Sequence, residues 1–295
     1  MTPLPDNLGP FSKSVQQMAE RMNPCTLCPR DCKVNRSEGE IGFCGIGDSP
    51  VVSSVGPHFG EERELVGPGG SGTIFFAGCN LGCIFCQNFD ISHHRHGRAV
   101  TIEQLAQFML ELQSHACSNI NFVTPTHVVV PAMAAAELAR KDGLTLPIVY
   151  NTGGYDSVET LKLLAGLVDI YMPDMKYSGS EVAKELSGAS DYPQLNRAAV
   201  KEMHRQVGDL QTEKGLATRG LLVRHLVLPN NLAGSFEVID FLAEQISTHT
   251  AINIMDQYRP CFKASSNAKI NRRPTLKEYD AVRQYAIQKG LNVLT

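Results

Sequence analysis

The sequence lacks the marks of several protein classes. Across 295 residues no stretch approaches the roughly 20 consecutive apolar residues of a membrane-spanning helix. The opening MTPLPDNLGPFSKSVQQMAERMNP has neither the basic start nor the apolar run of a secretory signal. Lys and Arg number 27 against 30 Asp and Glu, and the formal net charge of −3 gives no electrostatic case for binding nucleic acid or an anionic membrane. There is no internal repeat or low-complexity tract, and 43% apolar with 19% charged residues excludes a disordered chain. What remains is a globular protein long enough to bury a core, expected in the cytoplasm. Thiols stay reduced there, so clustered cysteines point to metal or catalysis rather than to disulfides.

Cysteine is what the chain does have. Seven of nine fall into two groups: Cys25, Cys28, Cys32 and Cys44 in CTLCPRDCKVNRSEGEIGFC, and Cys79, Cys83 and Cys86 in GCNLGCIFCQN. Cys117 closes an apolar helical pattern and reads as a small buried hydrophobe. Cys261 stands alone in a loop.

The punctuation of the chain suggests four parts. Residues 1–24 form an N-terminal arm with one short helix, and 25–47 a cysteine-rich module too short for a core of its own, which needs a metal to fold. Residues 48–71, rich in Gly and Pro, read as an irregular connecting segment. From 72 to 295, short apolar strands alternate with helical patterns: GTIFFAG, NINFVT, LPIVYN, VDIYMP, GLLVRHLVLP and AINIMDQY. Capping boxes open two of the helices, at Thr101 with Gln104 and at Thr275 with Glu278. Six βα units imply an α/β fold with a parallel sheet covered by helices. A partial (β/α)6 barrel is expected, because the chemically able residues recur at strand C-terminal ends.

The triplet follows the first of these strands with the spacing C-x3-C-x2-C. Three thiolates from one loop can hold three irons of a [4Fe–4S] cube, leaving the fourth iron open to a ligand. At this point the sequence resembles the radical SAM superfamily, whose loop has this spacing with an aromatic before the last cysteine, here Phe85. The resemblance implies that S-adenosylmethionine (SAM) binds the open iron and is cleaved by one electron to methionine and a 5′-deoxyadenosyl radical, which abstracts hydrogen from a substrate. The run GSGTIFFAGCNLGCIFCQN resembles more narrowly the proteins related to pyruvate formate-lyase-activating enzyme, among them those with an N-terminal CxLCPRxC module.

That narrower resemblance implies a glycyl-radical enzyme as substrate and a flavodoxin- or ferredoxin-type electron donor. A radical SAM enzyme modifying a small metabolite or RNA, and a non-catalytic Fe–S or zinc protein, are the alternatives. The resemblance also implies cofactor-binding positions at Asn151 and Thr152 after the third strand, Asp174 and Lys176 after the fourth, and Arg224 in the fifth. The family's usual Gly-Gly-Glu after the second strand is absent; Val123-Thr124-Pro125-Thr126 stands there, with Thr124 the candidate to serve through its backbone. Four thiolates at Cys25, Cys28, Cys32 and Cys44 suit zinc or a second cluster. His225 is expected on the face of its strand opposite Arg224. The run His93 to His96 is expected to face solvent, and Glu61-Glu62 reads equally as a solvated loop or a contact to the cluster loop or substrate. Asp256 to Arg259 should border the cavity at the sixth strand's end.

Overall fold

The computed structural model describes residues 11–294; the first ten residues of the expected arm lie outside the described residues. Helix α1 (Lys13–Glu20) opens the fold, capped by Ser12. Strand β1 (Val51–His58) follows, then β2 (Ser71–Phe76). Next come α2 (Phe89–Ser92), β3 (Arg98–Ala99), α3 (Ile102–Ser114) and β4 (Ile120–Val123). Helix α4 (Val129–Lys141) leads to β5 (Ile148–Thr152), and α5 (Val158–Leu163) to β6 (Ile170–Pro173). Helices α6 (Ser180–Ser187) and α7 (Tyr192–Val207) precede a hairpin of β7 (Gln211–Glu213) and β8 (Leu216–Leu226). The chain ends through α8 (Ser235–Gln245), β9 (Ala251–Met255), α9 (Leu276–Gln288) and β10 (Asn292–Val293).

Strands β2, β4, β5, β6, β8 and β9 are parallel neighbours in chain order, which makes the expected α/β partial (β/α)6 barrel. The sheet stays open, running from β10 at one edge to β3 at the other. Every residue of β5 and β6 is buried, as strands covered on both faces must be. Helix α4 buries nine of its 13 residues, five of them alanines, which lets it lie close to the sheet. Among the described residues no helix is long and apolar enough to cross a membrane.

Two expectations need correction. The 48–71 stretch is not wholly irregular, since β1 pairs antiparallel with β2 over most of its length. Its Val-rich start favours a strand, and Pro57 is tolerated because β3 pairs only with Val51 and Val52 on the other side. The cysteine module, in turn, is not coreless: Leu27, Cys25, Cys44 and Ile46 belong to the barrel's own hydrophobic cluster. Buried Arg36 pins the module down by donating to the carbonyls of Gly47 and His127.

The alternation expected in β8 holds. His225 turns away from Arg224 and is fully buried, its Nδ1–H donating to the Met175 carbonyl at 2.6 Å and its Nε2 accepting from Ser235 Oγ at 2.8 Å. Burial pushes the pKa of His225 down to about 4, and that of buried His127 likewise. Both groups bind protons in the unfolded chain near 6.5 but not in the native one, so stability rises with pH between the two values. Each contributes a slope of up to about 1.4 kcal/mol per pH unit. The cluster-free protein is therefore expected to lose urea resistance steadily as pH falls from about 6.5 toward about 4. His225→Gln should flatten that dependence; an identical slope in the variant would refute the assignment.

Candidate active site

At the C-terminal ends of the parallel strands lies a cavity of about 570 Å³. All ten residues expected to hold the cluster or the cofactor line it: Cys79, Cys83, Cys86, Phe85, Thr124, Asn151, Thr152, Asp174, Lys176 and Arg224. Strand order brings them together, because each follows or ends a neighbouring parallel strand. Of the expected sixth-strand border, Gln257 lines the cavity and buried Tyr258 packs behind it against Phe85, ring centroids 5.7 Å apart.

Each thiol of the triplet has a hydrogen-bonding partner. Leu81 N–H donates to Cys79 Sγ at 3.4 Å, and Ser187 Oγ–H donates to Cys83 Sγ at 3.0 Å. Ser92 Oγ stands 3.1 Å from Cys86 Sγ. Ser187 has a single proton, already given to Cys83, so the Tyr177 hydroxyl 2.7 Å away must donate to Ser187. Burial, reinforced by neighbouring Cys83, pushes the Cys79 thiol up to about 12, and burial raises Cys86 as well. Free of metal these thiols hold their protons, and a metal that binds them must displace those protons.

The other lining residues differ in how free they are. Thr124 has φ 60 and donates its N–H to the Asn151 carbonyl at 2.8 Å, a left-handed conformation held beside the cavity. Thr152 donates to Asp156 Oδ2 at 2.7 Å, so its hydroxyl is engaged in a buried network that also includes Thr126 and Tyr150. Burial raises the Asp156 carboxyl in spite of these donors. Asp174 pairs with Lys176 at 2.6 Å. Burial alone would lower the Lys176 ammonium, but the Asp174 carboxylate outweighs it and keeps the charge.

Arg224 is held by two carboxylates. Its Nε donates to Glu62 at 2.7 Å, and its Nη2 donates to Glu61 and Glu62 at 2.6 Å each. Asn253 adds a bond to Glu62, and His58 Nδ1 lies 2.8 Å from Glu61. Burial would raise the Glu62 carboxyl, yet the bonds from Arg224 and Asn253 bring it below the ordinary range. Of the two readings open for Glu61-Glu62, the solvated loop is excluded.

His93 also departs from expectation. Its Nε2–H donates to the Cys83 carbonyl at 3.1 Å and its ring packs on Phe262, while His94 and His96 are exposed. Cys117 is buried and directs its thiol at the Gly69 carbonyl. The four N-terminal cysteines are free thiols. Burial pushes Cys28 up to about 12, with Cys44 and Cys25 close enough to add to the effect, and Cys32 Sγ accepts from Phe43 N–H at 3.3 Å. Ser187, Ser92, Tyr177 and Asp156 were not legible as site residues, because nothing near them in the sequence marks their approach to the cavity.

The model of the radical SAM superfamily matches residues 73–206, which span the triplet and four of the barrel strands. Residues 73–206 form a radical SAM superfamily domain. Among curated proteins it is similar to two of Methanocaldococcus jannaschii. The uncharacterized protein MJ0674 is 33% identical over 280 residues, covering 92% of this chain and 76% of that protein. The uncharacterized protein MJ0808 is 24% identical over 298 residues, covering 90% and 78%. Among solved structures, methylornithine synthase (PylB) aligns with a TM-score of 0.47 and 12% identity, covering 75% of this chain and 70% of that one.

A radical SAM domain implies a [4Fe–4S] cluster and SAM. The residues fit both. Three thiols from one loop, each beside a hydrogen-bonding group, are a donor set for three irons. The strand ends beside them offer polar groups for the rest of a ligand.

Proposed function

We propose that the protein is a radical SAM iron–sulfur enzyme in which Cys79, Cys83 and Cys86 hold the cluster, and that it abstracts hydrogen from a glycine of a partner protein. The observation that carries this reading is the meeting of the triplet with Asn151, Asp174 and Lys176 in one cavity. When bound, cluster and SAM supply one-electron cleavage of the sulfonium to methionine and a 5′-deoxyadenosyl radical.

The chain's own residues bind, orient and shield. Ser187 and Ser92 donate to the thiolates of Cys83 and Cys86; such bonds raise a cluster's reduction potential and ease its reduction. Phe85, wedged edge-on between Tyr177 and Tyr258, fixes the loop between its last two cysteines and keeps water from its inner side. Asn151 and the Thr124 backbone offer acceptors to an amino group, and the Lys176 ammonium offers a donor to a carboxylate. Arg224, held through Nε and Nη2 by Glu61 and Glu62, shapes the far wall of the cavity. The four-cysteine module holds zinc or a second cluster, and a flavodoxin- or ferredoxin-type protein supplies the electron.

The glycyl substrate rests on the resemblance of GSGTIFFAGCNLGCIFCQN to activating enzymes. Anaerobically reconstituted, reduced enzyme incubated with SAM and a candidate glycyl-radical partner is expected to give a carbon-centred protein radical by electron paramagnetic resonance. Methionine and 5′-deoxyadenosine should form with it. SAM cleavage accompanied by a modified small metabolite, with no protein radical, would assign a small-molecule substrate instead.

A further inference from the structure

The N-terminal module touches the back of the triplet loop, and Arg30 is the point of contact. Arg30 sits in the middle of Cys28-Pro29-Arg30-Asp31-Cys32. Its guanidinium donates to four main-chain carbonyls: Nε to Asn80 at 2.7 Å, Nη2 to Leu81 at 2.8 Å and to Ser187 at 2.9 Å, and Nη1 to Gly188 at 2.6 Å. A planar fork of five N–H groups suits such a set, whereas a lysine ammonium does not. The guanidinium lies 3.8 Å from the centre of the Phe43 ring, and Phe43 immediately precedes Cys44.

Two of those carbonyls decide where the loop's amides point. In a trans peptide the C=O and the following N–H face opposite ways. Arg30 draws the Asn80 carbonyl outward, which turns Leu81 N–H inward to Cys79 Sγ at 3.4 Å. It draws the Leu81 carbonyl outward as well, which turns the Gly82 N–H to the same, Cys79 side of the loop. The other two carbonyls belong to the end of α6, where the Ser187 hydroxyl meets Cys83. The Asn80 side chain adds a further tie beside Cys28, its Nδ2 donating to the Tyr155 carbonyl at 2.7 Å. Packing leaves little slack: a Cβ on Gly78 would stand 2.7 Å from the Cys44 carbonyl, and one on Gly82 3.1 Å from the Phe43 ring.

We propose that Arg30 is a positioning residue that turns two peptide groups of the triplet loop toward the Cys79 sulfur, and that a metal bound by Cys25, Cys28, Cys32 and Cys44 sets the place of Arg30. The second half rests on the metal reading of the four-cysteine module. The segment around Arg30 has no helix or strand, and Asp31 and Lys33 adopt positive φ of 45 and 59. A metal joining its four thiolates fixes that segment, and so fixes the base from which Arg30 reaches the loop.

The test uses the reconstituted holoenzyme. Redox titration of the triplet's cluster with dithionite, followed by electron paramagnetic resonance, should show a more negative midpoint in Arg30→Ala, because amide-to-sulfur bonds are lost. Iron should also be lost to a chelator several-fold faster. Arg30→Lys should not restore the midpoint, since it cannot reach all four carbonyls. If Arg30→Ala folds poorly, Arg30→Gln gives the same reading with a milder change. An unchanged midpoint at full iron content in both Arg30→Ala and Arg30→Gln overturns the role of Arg30.

Metal analysis of Cys79→Ala/Cys83→Ala/Cys86→Ala tests the module separately. Zinc near one per chain, or iron near four, supports the metal reading and tells the two apart. No metal at all overturns the metal half and leaves the midpoint result standing on its own. With metal present, Cys28→Ala should shift the midpoint in the same direction as Arg30→Ala; an unshifted midpoint there overturns the coupling between module and loop.

Discussion

Replacing Cys83 with alanine is expected to abolish formation of methionine and 5′-deoxyadenosine from SAM by the reduced enzyme. Cys83 sits at the middle of the loop, buried, with Ser187 donating to its sulfur. Removing it takes away one of only three thiolates in the loop and leaves the Ser187 hydroxyl without its acceptor. Cys79→Ala and Cys86→Ala should behave alike, because a cluster held by two thiolates is lost rather than weakened. Cys117→Ala is the control. Its sulfur lies outside the cavity, bonded to the Gly69 carbonyl, so SAM cleavage should continue. Turnover surviving in Cys83→Ala would remove the triplet from the mechanism.

A second large effect is expected from Glu62→Ala, this time on stability. Glu62 is almost completely buried and accepts two bonds from Arg224 and one from Asn253. Truncation leaves a largely buried guanidinium short of a counter-charge and an amide without its acceptor. Breaking one side of a buried ion pair costs about 3–5 kcal/mol, and the low end applies here because Glu61 still faces Arg224. The measurement is the urea midpoint of the cluster-free protein. The conservative Glu62→Gln should cost less, because it keeps an acceptor for Arg224 and Asn253 and gives up only the charge. A loss below about 1 kcal/mol in Glu62→Ala, the range of an exposed pair, would show that the network is solvated.

The sequence by itself determined what local pattern can carry. Strand periodicity, capping boxes and Gly and Pro punctuation sufficed for six βα units in order, and neighbouring order sufficed for an open α/β barrel. The spacing of Cys79, Cys83 and Cys86 marked the chemistry, because a loop that holds three thiolates needs them within one turn of chain. Strand-end positions such as Asn151 and Asp174 followed from the same periodicity, since parallel strands deliver their ends to one side.

Contacts between residues far apart in sequence were decided only by the tertiary structure. Arg224 and Glu62 are separated by 162 positions, and Ser187 and Cys83 by 104. No periodicity links such pairs; they meet because β1 adds to the barrel's edge and α6 ends over the triplet loop. The cysteine module is the clearest case. Its composition announces a thiolate site, but the chain alone does not show that Arg30 reaches across to Asn80 and Leu81. A long side chain with five donors finds its acceptors through the packing of separate elements, and that packing exists only once the barrel has closed its core around the module.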